Sequence, residues 1–340
     1  MTAVPRYSFV IPTYRRPDML AGCLESIAAL EYPQAQIEIV IVDNGGDENN
    51  RLVAEPFMSR LAIRYLVNPR NRGVGFSINR GIVESRGDRI VSLNDDARPN
   101  PDLLRECDRL MDGDPSIGCV GCRVIEHGYE NWGTRIGYID PRGIIVGNFD
   151  VDCESPVDVE HVYGFCYIFT REALRRAGLN DMTLLAQAYS SGNGIETDHC
   201  LSIRGAQLRV VYNPRMVGRH LARPRPDMSE VSLRWHMDSI RNPIYVFLKH
   251  YGLFGKGAAA LRLTFLQHVG IVSAVVHPSR ANFAYFLGGL RARASAYGHY
   301  VKYLLGPRFD SPEAFRRILE ADMQATAAGS FADAAAPRSR

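Results

Sequence analysis

The run Ile37 to Val42 most constrains this chain: apart from Glu38 it is apolar at consecutive positions rather than at alternate ones. A strand with such a run must be covered on both faces, which calls for a sheet wound with helices. The run stops at Asp43, followed by Gly45 and Gly46. Before it, Tyr7-Ser-Phe-Val-Ile11 is a β-rich segment ended by Pro12, and Pro17 stands where a helix begins, with Leu20, Leu24 and Ile27 at helical spacing. Together these segments make a βαβ unit.

The alternation repeats. It gives a strand over Ala62 to Val67, a helix carrying Phe76, Ile78, Ile82 and Val83, and a strand over Arg89 to Leu93 that stops at Asn94-Asp95-Asp96. A helix from Pro101 to Met111 and a strand from Gly118 to Ile125 follow. The pattern predicts an α/β domain with a mostly parallel sheet, whose ligands bind beyond the carboxyl ends of the strands. Beyond Glu126, Gly128 to Asp150 reads as a loop and hairpin around Trp132, and Val162 to Thr170 as a strand. Next come a helix from Glu172 to Ala177, a mobile loop from Thr183 to Gly194, a short helix from Glu196 to Arg204, and a strand from Leu208 to Tyr212 with a turn at Asn213-Pro214. The expected organisation is an α/β domain over 1–228, its first half ending near 125 and its second over 126–228, then a helical extension over 229–320 and a disordered tail over 321–340. The extension comprises helices over Ser232 to Tyr251, Gly257 to Val276 and Asn282 to Leu305.

Composition narrows the partners. A net charge of +3 on 340 residues gives no case for nucleic acid. Seven cysteines, an odd number without a dense framework, suit a reducing cytoplasm; Cys119 and Cys122 read as half-buried thiols. No leader is expected before the first strand. Ala258 to Val276 carries Arg262, Gln267 and His268, so it reads as a buried or membrane-surface helix rather than a spanning one. The apolar faces Phe265, Val269, Val272, Val276 and Phe283, Phe286, Leu287, Leu290 need a partner. Internal packing or a homodimer is expected ahead of peripheral contact with a membrane.

Several groups could carry chemistry. Asp95 and Asp96 repel each other unless a positive group lies between them, which a divalent cation bridging them to a diphosphate would supply; acids attracted to a nearby helix start are the simpler reading. Asp43 suits a ribose or base, or is a turn aspartate before Gly45. Asn71-Arg72-Gly73 offers donors at a helix start. His220 is either structural or a member of a cation's coordination shell. Glu196 and Asp198 either cap a helix or provide a general base.

In order, these pieces resemble family 2 of the inverting glycosyltransferases, which have a GT-A nucleotide-binding fold. The matches are Val10-Ile11-Pro12-Thr13-Tyr14-Arg15-Arg16, Ile41-Val42-Asp43-Asn44-Gly45, Asn71-x-Gly73 with Asn79-x-Gly81, Leu93-Asn94-Asp95-Asp96, Glu196-x-Asp198-x-Cys200-Leu201 and His220, covering about residues 7–220. Short versions of the pattern look like bacterial rhamnosyl- and related sugar transferases. The resemblance implies a nucleotide-sugar site drawn from Pro12, Thr13, Tyr14, Arg16, Asp43, Asn71, Arg72, Gly73, Asn79, Asn94 and Asp95. It also implies a Mg2+ or Mn2+ held by Asp96 and His220, and a base in the acidic motif, Glu196 or Asp198. Two positions depart from the family: Asn94 replaces the first carboxylate of its DXD element, and Ile195-Glu196 stands where a Glu-Asp pair is usual. The expected activity is inverting, metal-dependent transfer from an NDP-sugar, with UDP or dTDP as the nucleotide, to an acceptor hydroxyl on a glycan, lipid-linked glycan or natural product. The alternatives are an inactive sugar-nucleotide-binding or assembly subunit, and a nucleotidyltransferase that makes NDP-sugars. The latter should carry a basic, Gly-rich triphosphate loop, and Pro12 to Asp18 is not one.

Overall fold

The computed structural model describes residues 4–129, 134–141, 143–185, 194–221, 229–253, 258, 260–261, 276–277, 279–306 and 311–327. Strands β1 (Tyr7–Thr13), β2 (Ile37–Asp43), β3 (Ile63–Val67) and β4 (Arg89–Leu93) are parallel, with β1 between β2 and β4. Every residue of β1, β2 and β4 is buried, as an unbroken apolar run requires. Helices α1 (Pro17–Ala28), α2 (Glu48–Ala54), α3 (Val74–Glu84) and α4 (Leu103–Met111) follow their strands. Pro17 opens α1, where its missing N–H costs nothing.

The sheet continues through β5 (Ala97–Pro99), β6 (Ile117–Ile125), the two-residue strands β7 (Tyr138–Ile139), β8 (Ile145–Val146) and β9 (Val157–Asp158), then β10 (Cys166–Thr170) and β11 (Arg209–His220). The main sheet runs β3-β2-β1-β4-β10-β6-β11-β5, with β9 on β11; β7 and β8 form a separate hairpin. β10 is antiparallel to both its neighbours, β4 and β6.

Three sequence expectations are corrected in this region. The turn at Asn213-Pro214 is instead an irregularity inside β11: pairing with β6 lapses after Asn213 and resumes at Val217 opposite Arg123. Pro214 has no N–H to give the ladder, so the strand bulges and goes on. The strand expected from Val162 is regular only from Cys166. Cys119 and Cys122 are fully buried rather than half-buried.

Helices α5 (Arg171–Ala177), α6 (Met182–Leu185) and α7 (Ile195–Gly205) lead into the C-terminal helices α8 (Ser229–Tyr251), α9 (Arg280–Leu305) and α10 (Pro312–Ala327). A second apolar cluster joins Ile195 and Leu201 of α7 to Ile244, Val246 and Leu248 of α8 and Ala292 and Ala296 of α9. Small residues let α9 approach closely; a Cβ on Gly288 would lie 3.1 Å from Leu233 Cδ1. α10 returns to the main core, where Phe315 packs on Phe76 at 5.0 Å between ring centroids. The helix runs through residues 321–327, which the sequence reading gave to a disordered tail, because Phe315 and Leu319 anchor its first half. Internal packing therefore covers much of the helical region, while Phe283 and Leu290 stay exposed. Phe265, Val269, Val272 and nearly all of 183–194 and 257–276, as well as Trp132, lie outside the described residues apart from Thr183–Leu185, Gly194, 258, 260–261 and 276. No described helix is long and apolar enough to cross a membrane.

Candidate active site

The carboxyl ends of β1, β2 and β4 lie side by side because β1 pairs with β2 on one flank and β4 on the other, which makes this the point where the winding order reverses. Thr13, at the end of β1, donates through Oγ1 to Asp95 Oδ2 at 2.8 Å. Arg16, just before α1, spans both acids: Nη1 is 2.9 Å from Asp95 Oδ1 and Nη2 is 2.8 Å from Asp96 Oδ2. Burial pushes Asp95 up to about 6 against the pull of Arg16. Burial also opposes ionisation of Asp96, but His220 and Arg16 outweigh it and hold that carboxyl at about 2.

His220 arrives by strand pairing. β11 runs antiparallel to β5, placing His220 opposite Ala97, and the Leu221 N–H donates to the Asp96 carbonyl at 2.9 Å. Its Nε2 is 3.3 Å from Asp96 Oδ1, while Nδ1 is 2.8 Å from Glu126 Oε2. Tyr163 donates its hydroxyl to the same Glu126 oxygen at 2.9 Å. Burial would lower the His220 pKa, yet the two carboxylates prevail and raise it.

These residues suit a divalent cation. Asp96 Oδ1 is buried and meets His220 Nε2 at 3.3 Å without a well-aligned hydrogen bond. With Nδ1 turned to Glu126, His220 presents Nε2 to that oxygen, the arrangement in which a carboxylate orients a metal-binding imidazole. Among the described residues no three His, Cys, Asp or Glu side chains are grouped so that they could hold a metal ion together, so the remaining ligands would come from phosphate and water, as Mg2+ commonly takes them.

Glu196 stands at the start of α7, beside the Tyr163–Gly164 segment. Among the described residues no other side chain gives its carboxylate a hydrogen bond or an ion pair, and burial raises its pKa to about 7. A Cβ on Gly164 would come within 3.2 Å of Glu196 Cδ, so a side chain at 164 would press on that carboxyl. Gly164 follows Tyr163 directly, and one short segment thus touches the acid on one side and the Glu126–His220 pair on the other. Asp198 is placed differently: its Oδ2 is 2.8 Å from Lys249 Nζ and its Oδ1 is 2.7 Å from His250 Nε2. Burial opposes its charge, but these two partners hold it well below the usual carboxylate range. A carboxylate engaged in this way is not free to take a proton, which corrects its candidacy as the base.

The other sequence candidates divide. Pro12 and Thr13 end β1 beside Val42 and Asp43. The Tyr14 ring covers Gly45, where a Cβ would meet it at 2.9 Å. Asp43 accepts the Tyr65 hydroxyl at 2.7 Å and the N–H groups of Gly46 at 3.1 Å and Asp47 at 2.8 Å, contacts that shape the turn after β2. Asn71 Oδ1 accepts from Asn44 Nδ2 and from the N–H of Gly73, which stands before α3 at φ 83°, while Arg72 stacks on Phe76 at 4.3 Å. Asn94 directs its N–H to the Phe165 carbonyl at 2.9 Å. Asn79 departs from its expected place. It is fully buried and bonded to Asn180, so it fastens the chain before α6 rather than meeting a nucleotide. Sequence reasoning missed Glu126, although an acid directly after a strand end was a usable signal. It also missed Lys249, one lysine in an otherwise apolar helical stretch.

A family model described as glycosyl transferase family 2 matches residues 8–178. The chain is 27% identical over 248 residues to glycosyltransferase AglE of Haloferax volcanii, covering 70% of this chain and 77% of that protein. The fold is shared with mannosyltransferase PcManGT from Pyrobaculum calidifontis in complex with GDP-Man and Mn2+, at 18% identity and TM-score 0.55 over 89% of this chain and 88% of that one. It is shared equally with residues 1–349 of S. aureus TarS in complex with UDP-GlcNAc, at 12% identity and TM-score 0.60 over 94% and 92% of the two chains. The α/β GT-A architecture expected from the resemblance is the one present.

Proposed function

The chain belongs to glycosyl transferase family 2, and from that premise we propose that it transfers a sugar from a nucleotide sugar to an acceptor hydroxyl with inversion at the anomeric carbon, assisted by Mg2+ or Mn2+. The observation that carries this reading is the juxtaposition of the buried Asp96 Oδ1 with His220 Nε2 at the strand ends. Thr13, Tyr14, Asp43 and the Asn71–Gly73 turn form the wall for the nucleoside, and Arg16 supplies positive charge beside the diphosphate. Asp96 and His220 would hold the cation, which offsets the charge that builds on the departing diphosphate. Glu196 takes the proton from the acceptor hydroxyl as its oxygen bonds to the anomeric carbon; the bond from that carbon to the phosphate oxygen breaks, and the nucleoside diphosphate leaves from the opposite face. A pKa of about 7 leaves Glu196 about half ionised at neutral pH and basic enough to accept that proton.

UDP-GlcNAc and GDP-mannose bound to the fold relatives are the first donors to try, alongside dTDP-sugars. The test is a thermal-shift panel of these donors with and without Mn2+, followed by detection of released nucleoside diphosphate. A donor present at about 100 times its Kd adds about 2.7 kcal/mol of stability. Binding without any release, even with acceptors supplied, would identify a sugar-nucleotide-binding subunit instead. No Mn2+-dependent stabilisation by any donor would remove the metal from the proposal.

A further inference from the structure

We infer that Lys249 of the C-terminal helix α8 is a positioning residue for Glu196, so that the helical region completes the catalytic site; the inference rests on Glu196 being the base. Lys249 Nζ lies 2.8 Å from Asp198 Oδ2 and 2.9 Å from Asp181 Oδ2. Asp198 is two residues beyond Glu196 in the first turns of α7, and Asp181 immediately precedes α6. One buried ammonium thus holds both chain segments that flank residues 186–193. The neighbouring side chains complete the clamp: His250 Nε2 reaches Asp198 Oδ1 at 2.7 Å, and the Tyr245 hydroxyl donates to Asp181 Oδ2 at 2.7 Å. Asp181 in turn accepts the Thr183 N–H through Oδ1 at 2.8 Å, so α6 is set by the same charge cluster.

The physical case is asymmetry. Glu196 has no partner of its own among the described residues, so its position is inherited from the backbone of α7. That helix is short, starts at a glycine in the left-handed region and has no side-chain N-cap, so its first turn is poorly fixed by local means. The Lys249 ammonium and the His250 ring nitrogen brought against Asp198 fix that turn from outside. Buried ion pairs often add little to stability, but they do define one geometry, and that is the requirement of a base that must meet an acceptor proton at hydrogen-bond range.

Hydrogen exchange read by mass spectrometry on the full chain tests this without needing a substrate. In Lys249→Met, amides of 195–205 should exchange roughly ten-fold faster, with peptides of β1 to β4 unchanged, and Lys249→Arg should restore most of the protection. Unchanged exchange at 195–205, or acceleration spread over the whole sheet, overturns the inference. Should Lys249→Met not fold, Asp181→Asn leaves the Lys249–Asp198 pair in place and must speed exchange at 182–185 while sparing 195–205; equal loss at both overturns it. With whichever of UDP-GlcNAc and GDP-mannose the wild type turns over, Lys249→Met should lower kcat by roughly ten-fold with KM within about two-fold. Failure of the base assignment is a separate result: Glu196→Gln would turn over normally while the exchange pattern of Lys249→Met stayed as expected.

Discussion

His220 Nδ1 lies 2.8 Å from Glu126 Oε2, and this contact decides which imidazole nitrogen faces Asp96. Parallel pairing of β6 and β11 sets the two residues together by placing Arg219 beside Ile125. Loss of such a supporting carboxylate commonly weakens metal affinity by about 10- to 100-fold. Glu126→Ala should therefore bind Mn2+ in the presence of UDP or GDP about that much more weakly, with Glu126→Gln intermediate because its amide oxygen still accepts from Nδ1–H. Calorimetric titration decides it, and wild-type Mn2+ affinity in both variants would mean that His220 needs no orientation.

Asp96 faces two cations or potential cations at once, Arg16 and His220. Asp96→Ala should lose most Mn2+-dependent affinity for a nucleoside diphosphate and most turnover, yet fold, because Arg16 keeps Asp95 as its partner. Retention of wild-type Mn2+-dependent UDP and GDP binding in this variant would place the cation elsewhere.

The strands that build the sheet were readable because burial on both faces leaves few choices of residue, as Ile37 to Val42 shows. β5 was not, since Ala97–Pro99 has no apolar pattern and exists only through its pairing with β11. The same holds for the site. Strand-end acids at Asp43, Asp95 and Asp96 stood out by position, and the family pattern pointed to His220 and Glu196. The partners that orient them come from far along the chain: Glu126 lies 94 residues from His220, and Lys249 lies 51 residues from Asp198. Such contacts are fixed by register and helix packing, on which local periodicity is silent. Asn79 shows the opposite error, for its place in a motif concealed that its amide is spent on Asn180.

Asn79 gives a control for that correction. Its Oδ1 accepts the Asn180 N–H at 3.1 Å and its Nδ2 donates to the Asn180 carbonyl at 2.9 Å, all fully buried. Asn79→Ala takes these bonds from the Asn180 N–H, Nδ2 and carbonyl and should cost about 2 to 3 kcal/mol in urea unfolding. Nucleotide affinity of the folded variant should stay within about two-fold of wild type. A large loss of affinity at unchanged stability would return Asn79 to the binding site.

Catalysis should follow ionisation of Glu196. With its pKa raised to about 7 by burial, kcat/KM should climb through that pH and level off above it. Glu196→Gln should lower kcat by about 100-fold or more with donor KM little changed, and Glu196→Asp should keep part of the activity. Normal turnover by Glu196→Gln would move the base to another group.

The same carboxylate should make the enzyme less stable than its inactive variant. The folded protein holds the Glu196 proton up to about 7, against 4.5 for an unperturbed glutamate, so the folded state binds that proton more tightly than the unfolded chain does. Stability from this group is therefore complete below about 4.5 and is lost as the pH rises towards 7, where the folded state must hold a largely desolvated charge that no other described side chain pairs. Glutamine has the same shape and no charge. Glu196→Gln should accordingly be more stable than wild type by about 1 to 3 kcal/mol at pH 8, and the gap should close near pH 4. Urea unfolding of both proteins across this range measures the difference directly. A gap that is independent of pH, or a wild type that is the more stable protein at pH 8, would show that Glu196 ionises at no cost and that its surroundings do not tune it as a base.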